Sequence, residues 1–418
     1  MTNRIIILMI ISILLIIIDY YIYKAVNSAF SNWNSKQRKV FRNLFWGYSI
    51  LLIAGIFISI YFNIRLAARA VIMVAFFLTF VSKVCFLLFL LIDELRRVFI
   101  WLRRKLSPQK PRSVNSSPAP DTIPRSEFLV KAGTLVAAIP LASLTYGIVS
   151  GAYDYRVVKR TLVLPNLPKS FDGLTLAQIS DIHSGSFYDR KAVLGGVELL
   201  LAQKPDMIFF TGDLVNNLAS EMRDYQDIFS KLKAPLGVFS VLGNHDYGDY
   251  HFGKEPSAAK TQNLKDIKLS HKNMGWDLLL NENRKVKING EEIAVIGIEN
   301  WGAGRFVRHG RLDLAVKNTD DAPVKLLLSH DPSHWRAQVL KDYPQIDAMF
   351  SGHTHGMQFG VRMEELQWSP VQYIYPEWAG LYRENHQQLY VNVGYGFLGY
   401  PGRVGIQPEI TIFELRGA

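Results

Sequence analysis

Five apolar runs between residues 174 and 350 each end on residues that can bind a metal. Leu174–Ile179 leads into Ser180-Asp181-Ile182-His183. Met207–Phe210 leads into Thr211-Gly212-Asp213, and Val238–Leu242 into Gly243-Asn244-His245-Asp246. Val324–Leu328 leads into Ser329-His330-Asp331, and Ile346–Phe350 into Ser351-Gly352-His353-Thr354-His355. The donors are carboxylate, imidazole and one carboxamide, with no thiol. That set suits hard to borderline divalent ions such as Mn, Fe, Zn or Mg. Seven ligand-type positions are too many for one open tetrahedral site and suit two ions that share a bridging carboxylate. Any one fragment alone also reads as a solvated loop or turn; five in series, each at the end of an apolar run, do not.

Each run reads as a buried strand, and strands ending at a common sheet edge would bring the five loops together. The small residues before the ligands let the backbone turn sharply and approach closely. From about Tyr155 onward, short β-rich runs alternate with longer mixed segments, as in a layered α/β fold. Val286–Val295 reads as a hairpin turning at Asn289-Gly290. Five of the ten histidines fall in the motifs; His251, His271, His309, His334 and His386 read as surface or structural.

In this order, Asp-x-His, Gly-Asp, Gly-Asn-His-Asp, Ser-His and Gly-His-Thr-His resemble the calcineurin-like metallophosphoesterases, over roughly residues 156–415. Gln178–His183, Val241–Tyr247 and Tyr390–Gly394 resemble the membrane-associated bacterial branch. The resemblance implies a β-sandwich flanked by helices, with a dimetal site at strand ends. It implies cleavage of a phosphoester or pyrophosphate bond by metal-activated hydroxide, with manganese the first expectation. Asp181, His183 and His355 would bind the first ion, Asp213 would bridge, and Asn244, His330 and His353 would bind the second. His245 would face the scissile phosphate and donate a proton to the leaving oxygen. Asn216 stands where some relatives have an aspartate that pairs with this histidine; it reads as the ring's partner or as a turn residue. Asp246 is expected to shape the loop by hydrogen bonding. Relatives often have glycine where Met357 stands, so substrate shape is where Met357 should matter. The branch implies a phosphoester substrate, lipid-linked or of the cell envelope, with membrane lipids as partners. A catalytically silent membrane sensor on the same fold is the alternative, and the full ligand set argues against it.

The rest of the chain must anchor this domain. The 418 residues are 49% hydrophobic with a formal charge of +11. Residues 1–151 hold 18 Lys+Arg and 5 Asp+Glu, so the basic excess belongs to the apolar third. That pattern marks membrane-flanking charge and indicates no nucleic-acid groove. Cys85 is the only cysteine, which excludes an internal disulfide and a Cys-type zinc site. Ile5–Tyr23, Phe45–Phe62 and Ala67–Ile92 approach or exceed the ~20 residues that cross a bilayer. We therefore expect a membrane domain of three helices over 1–106 and a Pro/Ser-rich linker over 107–126. A fourth helix over 127–151 either spans or lies on the surface, and the phosphoesterase domain covers 152–418. A channel or transporter is disfavoured, because the helices carry few internal charges.

Basic residues alternate low and high between the runs, placing Lys24–Arg42 and Arg96–Arg125 in the cytoplasm and the N-terminus outside. A spanning fourth helix then puts the catalytic domain outside; a surface-lying one keeps it inside. Leu95–Lys105 reads as a basic amphipathic helix on anionic lipid or as a plain extension of the third helix. Glu364–Asn385 carries Trp368, Tyr373, Tyr375, Trp378 and Tyr382, and reads as core and covering loop, as a pocket wall, or as a headgroup contact.

Overall fold

The computed structural model describes residues 2–30, 32–62, 66–106, 125–304, 306–363 and 366–418, which form two compact units, Met1–Thr145 and Tyr146–Ala418. The expected linker lies almost wholly outside the described residues.

The first unit is helical: α1 (Thr2–Ala29), α2 (Ser35–Tyr61), α3 (Leu66–Leu106) and α4 (Arg125–Val149). α2 starts at a capping box, in which Asn34 Oδ1 accepts from Gln37 N at 2.9 Å and Gln37 Oε1 accepts from Asn34 N at 2.9 Å. All four helices are long and apolar enough to cross a membrane, α4 over Glu127–Val149. Leu14, Leu51, Leu88 and Leu135 face outward, as side chains do when lipid is the solvent. Inside, Lys83 Nζ pairs with Asp19 Oδ1 at 2.5 Å and Asp19 is buried, so these two charges neutralise one another between helices. α3 runs 41 residues without a break, roughly 60 Å at the helical rise and about twice the bilayer core. Leu95–Lys105 is therefore a continuation of the third helix.

The second unit is a sandwich of two sheets. Its strands are β1 (Arg156–Val163), β2 (Thr175–Ile179), β3 (Met207–Phe210), β4 (Val238–Ser240), β5 (Asp277–Leu278), β6 (Glu282–Ile288), β7 (Glu291–Gly297), β8 (Lys325–Leu328), β9 (Ala348–Ser351), β10 (Val361–Arg362), β11 (Gln367–Trp368), β12 (Gly380–Glu384), β13 (Gln387–Val391) and β14 (Glu409–Arg416). One sheet has the order β1-β14-β2-β3-β4-β5, the other β12-β13-β9-β8-β7-β6, and β10 pairs with β11 alone. β2 through β5 run parallel, as do β7, β8, β9 and β13. β6 and β7 form the expected hairpin, with Asn289 at φ 50° and Gly290 at φ 85°, the left-handed pair of a type I′ turn.

Both faces of the central strands are buried, which is why they read as continuous apolar runs. In β3, Met207 and Phe209 enter the layer between the sheets, with Leu176, Leu326, Leu328 and Phe350. Ile208 and Phe210 point the other way, against Val193, Val197 and Leu200 of the helix Arg190–Leu201 and Ile267 and Met274 of the helix Ala258–Met274. The second sheet's outer face, Ile296, Leu327, Met349 and Val391, packs on Leu312, Trp335 and Val339.

One expectation changes here. The five strands that lead into the motifs do not belong to one sheet: β2, β3 and β4 lie in the first, β8 and β9 in the second. The loops meet because both parallel sets end at the same rim of the sandwich.

Candidate metal centre

Three loops of the first sheet and two of the second close over one another at this rim. Asp181, His183, Asp213, Asn244, Asp246, His330 and His355 are buried; His245, Asn216 and His353 are half-buried. Asp181, His183, Asp213, His353 and His355 all have left-handed backbone, with φ between 48° and 73°. Non-glycine residues seldom adopt this conformation, and surrounding structure must hold it. Here it is held by cross-loop bonds: Asp181 N to Gly212 O at 2.9 Å, His183 N to Asp213 O at 3.1 Å, and Gly352 N to His330 O at 2.9 Å. Two glycines are required by contact. A Cβ on Gly352 would lie 2.1 Å from Asp181 Oδ2, and one on Gly243 would lie 2.2 Å from Asp213 Oδ1.

The side chains fall into two groups. Asp181, His183 and His355 present ligand atoms within 4.8 Å of one another, and so do Asp213, His330 and His353. His355 Nε2 is 3.3 Å from Asp181 Oδ1, and the His183 and His355 rings are 4.9 Å apart. In the second group, His353 Nδ1 is 3.3 Å from His330 Nε2 and 2.9 Å from Asn244 Oδ1. Asp213 Oδ2 links the groups, 3.1 Å from His330 Nε2 and 3.5 Å from His183 Nε2. His353 and His355, two residues apart, thus enter different groups.

The donor atoms fit metal ions. Both ring nitrogens of His183 and Nε2 of His355 are buried without a hydrogen-bond partner. Burial pulls His183 down to about 3, which keeps it the neutral imidazole a metal requires. Burial opposes charge on Asp213, but His330, His245 and His183 outweigh it and hold the carboxyl well below its usual range. His330 Nδ1 lies 2.8 Å from Thr211 O; donating there leaves Nε2 as the acceptor nitrogen facing Asp213.

His245 sits beside both groups. Its Nδ1 is 2.7 Å from Asn216 O, its ring stacks on Tyr250 at 4.5 Å, and the His183 ring meets it edge-on at 4.9 Å. Its backbone N–H donates to Asp213 Oδ1 at 2.8 Å. The expected contact from Asn216 is made by its main-chain carbonyl. The carboxamide instead exchanges hydrogen bonds with Ser186 Oγ, at 3.0 and 3.2 Å. Asp246 accepts from the backbone N–H of Gly243, Asp213, Leu214 and Val215 at 2.9–3.3 Å, and so fixes two ligand loops on one carboxylate. Burial and the charge of Asp213 push Asp246 up to about 7, against the pull of those donors.

Sequence reasoning missed three neighbours. Tyr250, in the short helix Asp249–Phe252, covers His245 from five residues on. Arg403 is fully buried, donates to the carbonyls of Val393 and Gly396, and lies 3.3 Å from His355 Nδ1. Asp331 follows His330, and its buried Oδ2 is 3.8 Å from His353 Nε2. Of the aromatic segment, Tyr375 reaches the site, its hydroxyl 2.8 Å from His353 Nε2. Trp378 is core, while Trp368 and Tyr373 are exposed.

The chain is similar to known proteins. Residues 174–357 match the family described as calcineurin-like phosphoesterase, and residues 3–152 match one described as probable calcineurin-like phosphoesterase, transmembrane domain. A protein of Danio rerio, "Transmembrane protein with metallophosphoesterase domain", is 31% identical over 295 residues, covering 68% of this chain and 63% of that protein. This chain thus spans less than two thirds of that relative. "Uncharacterized metallophosphoesterase YkuE" of Bacillus subtilis (strain 168) is 27% identical over 296 residues, covering 68% of this chain and 95% of that protein. "Phosphodiesterase YaeI" of Escherichia coli (strain K12) is 26% identical over 241 residues, covering 57% and 80%. Relatives therefore occur in a vertebrate as well as in bacteria. On its two family matches and its paired donor groups, the chain carries a calcineurin-like phosphoesterase domain, of the metal-dependent phosphoester hydrolase type, over residues 174–357, behind helices that match the transmembrane domain described for such proteins.

Proposed function

We propose that the protein is a membrane-anchored dimetal phosphohydrolase that cleaves a phosphoester or pyrophosphate bond in a substrate borne on a lipid or the cell envelope. The observation that supports it best is the place of Asp213, with Oδ2 between His183 of one donor group and His330 of the other. Asp181, His183 and His355 would hold one divalent ion, and His330, His353 and Asn244 a second, with Asp213 shared. The oxygen and imidazole donors suit manganese, with Fe, Zn or Mg as other candidates. Two such ions supply, when bound, polarisation of the phosphoryl oxygens and activation of water.

The chain's own groups do the rest. Thr211 O and Asn216 O fix the rings of His330 and His245 through their Nδ1 atoms. His245 then carries its exchangeable proton on Nε2, and Tyr250 holds the plane of the ring. That proton goes to the leaving oxygen, a contribution of ~10²–10⁴-fold. Arg403 and Asp246 keep the loops in place.

The domain would lie on the outer side of the membrane. Basic residues flank the α1–α2 turn and the end of α3, and α4 is long enough to cross back out. The test is turnover of a chromogenic phosphodiester by the full-length protein in detergent with Mn²⁺. Hydrolysis lost on chelation and restored by metal supports the reading; hydrolysis indifferent to chelation refutes it.

A further inference from the structure

The ribbon β10–β11 is built inside out. Val361 lies opposite Trp368 and Arg362 opposite Gln367, and Met363 N bonds Leu366 O at 2.9 Å. Residues opposite one another share a face, and neighbours along a strand alternate. One face therefore carries Val361, Met363, Leu366 and Trp368, which are 36%, 59%, 53% and 37% exposed. The other carries Arg362, whose guanidinium is largely buried against Glu409. A half-exposed ribbon ordinarily turns its apolar face inward. Here the charge is inside and the apolar face is bare. Tyr373 and Ile374, 77% and 65% exposed, follow shortly after it.

Hydrogen bonds tie this ribbon to the end of α4. Gly360 N donates to Val404 O at 2.9 Å, and Val404 N to Gln358 O at 2.8 Å. The next residue, Arg403, donates its backbone N–H to Gly147 O at 3.1 Å. Gly402 packs so closely on the backbone of Gly147 and Ile148 that a Cβ there would lie 2.8 Å from it. Gly147 is in the last turn of α4, at the end of the apolar stretch Glu127–Val149. The bare face is thus anchored where a membrane-spanning helix ends. Arg156 and Arg160 line a pocket of about 410 Å³ together with Met363 and Gln367, which sets cationic groups beside the ribbon.

We propose that the apolar face of β10–β11 rests in the headgroup–acyl boundary of the bilayer that α4 crosses, with Arg156 and Arg160 toward anionic headgroups. In the sequence, Glu364 and Glu365 stand between Met363 and Leu366. The same segment reaches the metal centre: Tyr375 follows Ile374 and contacts His353, and Met357 follows His355 by two residues. The centre would accordingly take phosphoesters presented in the plane of the bilayer. The docking rests on α4 entering the membrane; the substrate class rests also on the hydrolase reading above.

The experiment uses the full-length protein with Cys85→Ser, reconstituted into vesicles of phosphatidylglycerol and phosphatidylethanolamine. Met363→Cys, Leu366→Cys and, as control, the exposed Leu269→Cys each carry an environment-sensitive fluorophore. Spin-labelled lipid is expected to quench the first two and to spare the control. No quenching at Met363→Cys and Leu366→Cys overturns the docking, and a disulfide between two Met363→Cys copies without quenching assigns the face to a second copy instead. Quenching does not depend on turnover, so it decides the docking even if the hydrolase reading fails. The double variant Met363→Asp, Leu366→Asp should lose about tenfold in turnover of a vesicle-borne phosphodiester and none on a soluble one. Equal loss on both would refute the interfacial role.

Discussion

Asp213 Oδ2 lies 3.1 Å from His330 Nε2. The same oxygen faces His183 across 3.5 Å, so one carboxylate belongs to both donor groups. Asp213→Asn should therefore weaken both metal positions, whereas His355→Asn should weaken only the group of Asp181 and His183. Metal content per chain after gel filtration, read by mass spectrometry, separates the two. Equal loss from both variants would remove the bridging role.

His245 and Asn216 make a contrasting pair. His245→Ala should cost ~10²–10⁴-fold in turnover with both metals retained. Asn216→Ala should cost at most a few-fold, because the contact to the ring comes from the main-chain carbonyl. A loss at Asn216 as deep as that at His245 would mean that the carboxamide takes part directly.

Asp246 accepts four backbone N–H groups. Asp246→Ala should cost about 3 kcal/mol or more, since buried donors left unpaired lose their solvation outright. Asp246→Asn keeps one acceptor oxygen and should cost less. Denaturation midpoints of the metal-free proteins, compared with wild type, give the order.

Acid should destabilise the metal-free fold through histidines away from the centre. Burial pulls His271, held at 3.0 Å by Ser240 Oγ, down to about 3, and His334 down to about 4. Both are neutral when folded, while the unfolded chain takes up their protons below about pH 6.5. Their stabilising effect is thus full above pH 6.5 and falls toward pH 4–3, by up to ~1.4 kcal/mol per pH unit for each. His271→Gln should flatten that slope; an unchanged slope would show that other groups drive it.

The ligand-bearing strands were legible because each is buried on both faces, which gives an unbroken apolar run with a small residue and a donor at its end. Their division between two sheets was not, since a strand covered by helices and another sheet has the same composition in either sheet. The Asn289-Gly290 hairpin was legible for a local reason, the left-handed turn. Arg403 was not, because long-range packing brings it to the site from 48 residues beyond its histidine partner. Asn216 was found at the right place for the wrong atom, as backbone carbonyls carry no signature in the side-chain sequence. The length of α3 was hidden by its change from apolar to basic, which does not interrupt a helix.

The most direct test is a titration of Mn²⁺ into the chelated full-length protein, with bound metal and phosphodiester turnover followed together. The account predicts that turnover is absent without metal and reaches its plateau as the second ion per chain binds. A plateau at one ion, or hydrolysis by the metal-free protein, would contradict it.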